Sequence, residues 1–281
     1  MKLSVLGHTA YDYIFDVPYH PEKGYSIYIK NYTRHYGGGA ANICYGAKKL
    51  GMNCRLISSF GRDCKRYEEH LKKHGVELHI YKSRKKMARA FIFNADEQIS
   101  YFYWGASEDM NRISPLKSDY LHIAPSHPEA AIKMASHAKF FSFEPGQDIP
   151  RYGKGQLQYL IEHADILFCN EFEIKKIEKI ANLKGKDVIV TLGKKGCMIY
   201  KNGKIIPSIP RKAIEPTGAG DAFKATFWTL FLKGYDIEKC CYIANIASSF
   251  IVQYRGAQNN RAWNKIAREV KNNIKGRVFS N

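Results

Sequence analysis

No run of roughly 18 apolar residues occurs anywhere in the chain, so nothing in it reads as a membrane-spanning helix. The opening residues, Met1-Lys2-Leu3-Ser4-Val5-Leu6-Gly7, have the form of a strand and lack the charged-then-apolar pattern of a secretory signal. A cytoplasmic location without a membrane partner is the expectation. The seven cysteines include no Cys-x-x-Cys pair, and their odd number suits neither a disulfide framework nor a metal site. Cys44, Cys54 and Cys64 are expected in a helix, a strand and a loop, and reduced thiols are the simplest account of them. No Gly-x-x-x-x-Gly-Lys-[Ser/Thr] loop is present, which argues against a P-loop nucleotide fold. Acidic residues are scarce, 26 against 44 basic ones, for a formal charge of +18. Such an excess raises the question of nucleic acid. The basic residues are spread along the chain, as at Lys48-Lys49, Lys175-Lys176 and Lys194-Lys195, and no recognition motif accompanies them. Solubility and a pull on small anionic substrates account for the charge, and no nucleic-acid partner is expected.

What is present is an alternation. With 45% hydrophobic content, short apolar runs alternate with amphipathic helical runs over 281 residues, the pattern of a mostly parallel sheet covered by helices on both faces. The expectation is one α/β domain over residues 1–281, without internal repeats. Two stretches break the rhythm. In residues 13–36, aromatic and β-branched residues alternate with polar ones (Tyr25, Ile27 and Ile29 against Ser26, Tyr28 and Lys30). Residues 88–105 do the same around the turn Asn94-Ala95-Asp96-Glu97. Together they predict a small sheet projecting from the main domain. Ser126-His127-Pro128-Glu129 predicts a capping box, with a helix from there to about Ala138.

The residues that carry chemistry centre on Glu215-Pro216-Thr217-Gly218-Ala219-Gly220-Asp221. This stretch follows a short strand candidate at Ile205-Ile206 and leads into a helix candidate from Ala222 to Lys233, stopped at Gly234. A helix start has amides without partners and partial positive charge, so a turn of small residues there can cradle an anion. Asp221 at the helix mouth is either a cap or a base aimed beside a phosphoryl group. A dinucleotide fingerprint is ruled out because Phe223 stands at the place of its third glycine.

Thr217-Gly218-Ala219-Gly220-Asp221-Ala222-Phe223 resembles the carboxy-terminal signature of the ribokinase (PfkB) family of small-molecule kinases. That resemblance implies a ribokinase-like three-layer α/β/α fold with a small β-sheet lid. Gly218, Ala219 and Gly220 would form the anion hole for the transferred phosphoryl, with Asp221 as the catalytic base. Further matches run from residue 7 to residue 257. Asp12, five residues after Gly7, matches the aspartate that holds acceptor hydroxyls, and Gly37-Gly38-Gly39-Ala40-Ala41-Asn42 matches the motif in which Gly38, Gly39 and Asn42 would grip the sugar. Asn170-Glu171-Phe172-Glu173 resembles the Asn-x-x-Glu element that organises Mg²⁺ and the nucleotide phosphates, with Glu173 acting on the metal through water. Thr191-Leu192-Gly193-Lys194-Lys195-Gly196 resembles the strand end bordering ATP. Thr191, Gly193 and Gly196 would then be ATP-binding, together with Asn170, Gly218 and Gly220. Gly256-Ala257 resembles the turn near the adenine.

The chain departs from the pattern in having Glu215-Pro216 where relatives start with Asp-Thr. That region helps form a monovalent-cation site in some members, so a potassium requirement is in question. Thr226 replaces a glycine that usually follows Ala225. The run Gln98 to Ala106 resembles the lid of the family's broad-specificity archaeal nucleoside kinases. Phe15, Phe91, Phe93, Tyr101, Phe102, Tyr103 and Trp104 offer faces on which a nucleobase could stack, or they form the lid's own core or a dimer interface. An ATP- and Mg²⁺-dependent nucleoside kinase is the expectation, either monomeric or a lid-mediated homodimer. A sugar or sugar-phosphate kinase and a nucleoside-binding sensor are the alternatives, and the intact Asp221 argues against the sensor.

Overall fold

The computed structural model describes residues 1–275. Residues 276–281, which the sequence reading included in the domain, lie outside the described residues. From the amino terminus the chain forms β1 (Lys2–Leu6), leaves the main sheet for β2 (Ala10–Asp16) and β3 (Asn31–Gly37), and returns through α1 (Gly39–Lys49). β4 (Asn53–Phe60), α2 (Lys65–Lys73) and β5 (Glu77–Lys82) follow, before a second excursion into β6 (Ala88–Asn94) and β7 (Gln98–Tyr103). The α/β alternation then resumes with β8 (Ser118–Ile123), α3 (Pro128–Ala135), β9 (Ala138–Phe143), α4 (Lys154–His163), β10 (Ile166–Asn170), α5 (Ile174–Ile177) and β11 (Asp187–Thr191). A hairpin of β12 (Cys197–Ile199) and β13 (Lys204–Ile206) precedes α6 (Ala219–Phe231), α7 (Ile237–Ile251) and α8 (Asn260–Lys275).

The main sheet has nine strands in the order β13-β12-β11-β10-β9-β8-β1-β4-β5. Its neighbours pair in parallel except along the β11–β12–β13 edge. Side chains alternate across a strand, so a strand covered on both faces feeds two cores. In β10, Ile166 and Phe168 join the core under α1, α2, α6, α7 and α8, while Leu167 and Cys169 join the one under α3, α4 and α5. This is the layered α/β/α arrangement that the hydrophobic alternation predicts. β3-β2-β6-β7 form the separate four-stranded lid sheet.

Two local expectations are corrected. Residues 17–30 are a loop, despite the alternation at Tyr25 to Lys30, and Tyr25, Tyr28 and Ile29 are exposed. Alternation makes a strand only where one face has something to cover it, and Pro18, Pro21 and Gly24 interrupt any pairing. At α3 the cap is His127, whose Nδ1 accepts from the Glu129 N–H at 3.2 Å, while the Ser126 hydroxyl has no hydrogen-bond partner among the described residues. That helix ends at Ala135, because β9 begins at Ala138.

Candidate active site

The carboxyl ends of β8, β9 and β10 and the amino ends of α1 and α6 converge beneath the lid on a cavity of about 540 Å³. α6 begins at Ala219, three residues before the expected start, so Asp221 lies inside its first turn. The strand-turn-helix expectation is corrected as well. β13 is an antiparallel edge strand, and a long connection over residues 207–217 separates it from α6. The turn is held by other means. Ile214 and Glu215 donate their N–H groups to the Val252 carbonyl at 2.8 and 3.0 Å. The buried Glu215 carboxylate accepts from Thr217 N at 2.7 Å and from Gly256 N at 3.3 Å. Burial, partly offset by these bonds, raises its pKa. Gly218 caps α6 at φ 87°, and a Cβ there would stand 2.4 Å from that of Ala257, so a side chain has neither the conformation nor the space. The Ala219 N–H turns back to the Pro216 carbonyl at 3.2 Å. Among the described residues, the Gly218, Gly220 and Asp221 amides have no hydrogen-bond partner, which leaves them available to an anion.

Asp221 faces the cavity between two groups. Its Oδ2 accepts from Asn42 Nδ2 at 2.8 Å, and its Oδ1 lies 3.7 Å from the ammonium of Lys224. Asn42 is itself oriented, since its Oδ1 accepts from Gln258 Nε2 at 2.9 Å. Gln258 also reaches the Tyr67 hydroxyl and faces His70 Nε2 at 3.0 Å, where its Oε1 requires the imidazole to donate. This buried chain fixes which way the Asn42 amide points. Lys224 donates to both oxygens of Glu144 at 2.5 Å. Burial pushes the Glu144 carboxyl up to about 7, with Lys224 pulling the other way. For Lys224, burial is outweighed by Glu144 and Asp221, which hold the ammonium above its ordinary value.

Asp12, on β2, is buried at the cavity wall, and its carboxylate has no hydrogen-bond partner among the described residues. Burial, then the Asp221 and Glu215 charges, raise its pKa well above the ordinary value. Gly37 is required beside it, because a Cβ at that position would lie 1.9 Å from the Asp12 carboxylate. Gly38 and Gly39 border the same cavity at the start of α1. Asn170 and Glu173 close on each other: Asn170 Nδ2 and N donate to the two Glu173 oxygens at 2.8 and 3.0 Å. Both face the cavity. No cluster of three or more His, Cys, Asp or Glu side chains that could grip a metal directly exists among the described residues.

A second cavity of about 370 Å³ lies on the other side of the α6 mouth. Gly193, Ile209, Arg211, Ser249 and Val252 contribute to its walls, and Pro216 and Ala219 line both cavities. The other two residues expected at the Gly193 loop are placed differently. Thr191 donates its hydroxyl to the Cys169 carbonyl at 3.3 Å, and Gly196 packs where a Cβ would meet the Ile206 carbonyl at 2.1 Å. Neither lines either of these two cavities.

The lid register separates its aromatics. Ala90 pairs with Phe102 and Ile92 with Ser100, and these four face the cavity. Phe91 and Phe93 point outward, stacked on Tyr13 at 5.6 Å and on Phe15 at 4.8 Å. Tyr101 borders the cavity, but its ring packs edge-on against Phe93. The aromatic-rich lid therefore offers one inward ring, Phe102, which rests on His8 at 4.7 Å. His8 Nε2 and Asp148 Oδ2 form a buried pair at 2.7 Å beneath it. Trp104 continues the cluster, with the Arg151 guanidinium 4.0 Å over its ring. The lid is tied to the body by Gln98 Nε2, which donates to Thr217 Oγ1 at 3.3 Å, and by Arg255 Nη2, which donates to both Asp16 oxygens at 3.0 and 2.8 Å.

Sequence reasoning missed Lys224, Gln258 and the His8–Asp148 pair as parts of this site. Lys224 left a signal: Ala222, Phe223, Ala225, Thr226 and Phe227 around it are apolar or small, and a lone charge in such a run must be paired.

Two cavities meeting at a helix mouth, with a carboxylate in the wall of the one beneath the lid, define the class as an α/β small-molecule kinase of ribokinase-like fold. The chain belongs to the pfkB family carbohydrate kinases, whose family model matches residues 1–264. It is 40% identical to the nucleoside kinase of Methanocaldococcus jannaschii over 94% of this chain and 95% of that one. Its identity to the nucleoside kinase of Methanothermobacter thermautotrophicus is 36%, over 92% of this chain and 91% of that one. The crystal structure of the M. jannaschii nucleoside kinase, an archaeal member of the ribokinase family, superposes with a TM-score of 0.84 at 38% identity, covering 96% of this chain and 98% of that one.

Proposed function

We propose that the protein transfers the γ-phosphoryl group of ATP to the primary 5′-hydroxyl of a nucleoside. The observation that carries this reading is the meeting of the two cavities at Pro216 and Ala219, with Asp221 close by in the wall of the lid-side one. The lid-side cavity takes the acceptor and the other takes the adenine end of ATP. Asp221 accepts the proton of the acceptor hydroxyl as its oxygen attacks the γ-phosphorus. The Gly218, Gly220 and Asp221 amides hold the charge that develops on the phosphoryl oxygens. The unpartnered Asp12 carboxylate accepts from ribose hydroxyls, which relieves the cost of its burial. Asn42 keeps Asp221 aimed and has a second amide hydrogen for the sugar. Phe102 stacks on the base.

Glu173 and Asn170, which face the cavity and hold each other by hydrogen bonds, suit Mg²⁺ held through water. When bound with ATP, the metal supplies bridging positive charge to the phosphates. Each oxygen of Glu215 accepts one backbone N–H and keeps a further lone pair. Turnover compared in potassium and in choline salts tests whether a monovalent cation binds at this turn. The outward aromatic face of the lid supports a homodimer that pairs two lids.

The test is ATP turnover against a panel of nucleosides, ribose and fructose 6-phosphate. Nucleosides are expected to lead in kcat/KM, and a sugar or sugar phosphate in front overturns the nucleoside assignment. Asp221→Asn should hold both substrates within a few-fold while losing at least ~10² in turnover. Retention of most of the turnover removes Asp221 from the role of base.

A further inference from the structure

Carboxylates crowd the acceptor cavity. Asp12, Glu144, Glu173 and Asp221 all contribute to its wall, and among the described residues Lys224 is the only cation there. A transferring phosphoryl group brings further negative charge to this place. Lys224 is 6% exposed and sits one helical turn after Asp221 on α6. Its Nζ is 3.7 Å from Asp221 Oδ1 and 3.6 Å from where a Gly220 side chain would begin, so it stands next to the unpartnered Gly220 amide. An ammonium has three N–H donors. Two go to the Glu144 oxygens at 2.5 Å, and Asp221 at 3.7 Å is too distant to accept the third. A buried donor is left uncommitted, on a flexible stem, beside the proposed base and anion hole.

We propose that Lys224 is a further catalytic residue, whose third N–H binds an oxygen of the phosphoryl group during transfer. Glu144 holds the ammonium in the wall while the site is empty. In the step, the acceptor O–H proton passes to Asp221 and the acceptor oxygen bonds to the γ-phosphorus. The bond from phosphorus to the β-bridging oxygen breaks, and its electron pair leaves with ADP. Lys224 donates a hydrogen bond throughout and transfers no proton. Its charge is most valuable when the phosphoryl is free of both oxygens, so it acts on turnover more than on binding.

This rests on the kinase reading, and the experiment separates the two. Wild-type protein that phosphorylates none of the panel acceptors sinks the kinase reading itself. With an active wild type, Lys224→Met and the double variant Lys224→Met/Glu144→Gln are compared. The double variant removes both buried charges, so no uncompensated carboxylate confounds folding. It is expected to melt within a few degrees of wild type, to keep both KM values within about fivefold, and to lose about a hundredfold in kcat. A kcat loss of less than tenfold in the folded double variant overturns the proposal and leaves Lys224 as the structural partner of Glu144. If neither variant folds, wild type crystallised with ADP, Mg²⁺, nucleoside and aluminium fluoride decides. Lys224 Nζ within about 3.2 Å of the fluoride group supports the proposal. Nζ still bound only to Glu144, beyond about 4 Å from that group, overturns it.

Discussion

Asp12 and Asp221 are both carboxylates in one cavity, yet their surroundings differ. Asp221 has Asn42 on one oxygen and Lys224 near the other, while Asp12 has no partner and is pushed toward its neutral form. A carboxyl whose folded pKa is raised makes the native state bind more protons than the unfolded chain. Its effect on stability is therefore unfavourable as pH rises, starting from the unfolded value near 3.8. Asp12→Asn removes that burden. The ligand-free variant should melt higher than wild type at pH 8, and the gap should shrink as pH falls toward 4. The same change should weaken acceptor binding, raising the acceptor KM by ~10-fold or more while ATP is little affected. Thermal melts across pH with paired KM measurements check both halves, and a gap that does not vary with pH contradicts the burial argument.

At the level of elements, α6 and the lid divide the work. α6 presents free amides, Asp221 and Lys224 from one helix, so their mutual geometry is set by helical spacing and not by loop conformation. The lid closes the cavity with β6 and β7, and its register decides which side chains the substrate meets. Phe102→Ala should lower kcat/KM for nucleosides by roughly ten- to a hundredfold, the worth of one stacked base, while residual ribose activity stays nearly constant. Phe91→Ala, on the outer face, should not discriminate between the two acceptors. An equal loss for ribose and nucleoside in Phe102→Ala would place the ring in lid packing on His8 instead of at the base.

At the scale of the whole molecule, the outer face of the lid is an aromatic surface that the described residues do not cover. Tyr32 and Tyr101 are 62% and 63% exposed on the outer face of the lid, beside Ile99 and the stacked Phe15 and Phe93. A contiguous apolar patch of this kind marks an interaction surface, and a second copy of the same lid is the proposed occupant. Sedimentation should find a dimer, and Ile99→Glu with Tyr101→Glu should shift it to monomer without loss of helical signal. A monomeric wild type at the concentrations used for turnover rejects the lid-to-lid dimer.

Periodicity and turn chemistry alone determined the series of strands and helices, because an apolar repeat dictates which face of each element must be buried. They also determined the small sheet and its Asn94–Glu97 turn. Gly218 and Asp221 were legible as a turn of small residues with an acid at a helix mouth, and the resemblance of Thr217 to Phe223 to the family signature gave them their expected roles. The tertiary structure alone decided the rest. A strand has two faces, and only pairing with the body turned Phe102 inward and Phe91 and Phe93 outward. Asn42 meets Asp221 across 179 residues, and Lys224 meets Glu144 across 80. Such contacts leave no trace in spacing, because they are set by where the sheet order brings the strand ends and helix mouths together. Likewise, the loop over residues 17–30 reads as a strand until the fold shows that nothing covers it. Side chains acquire partners from packing, and packing is a property of the folded chain.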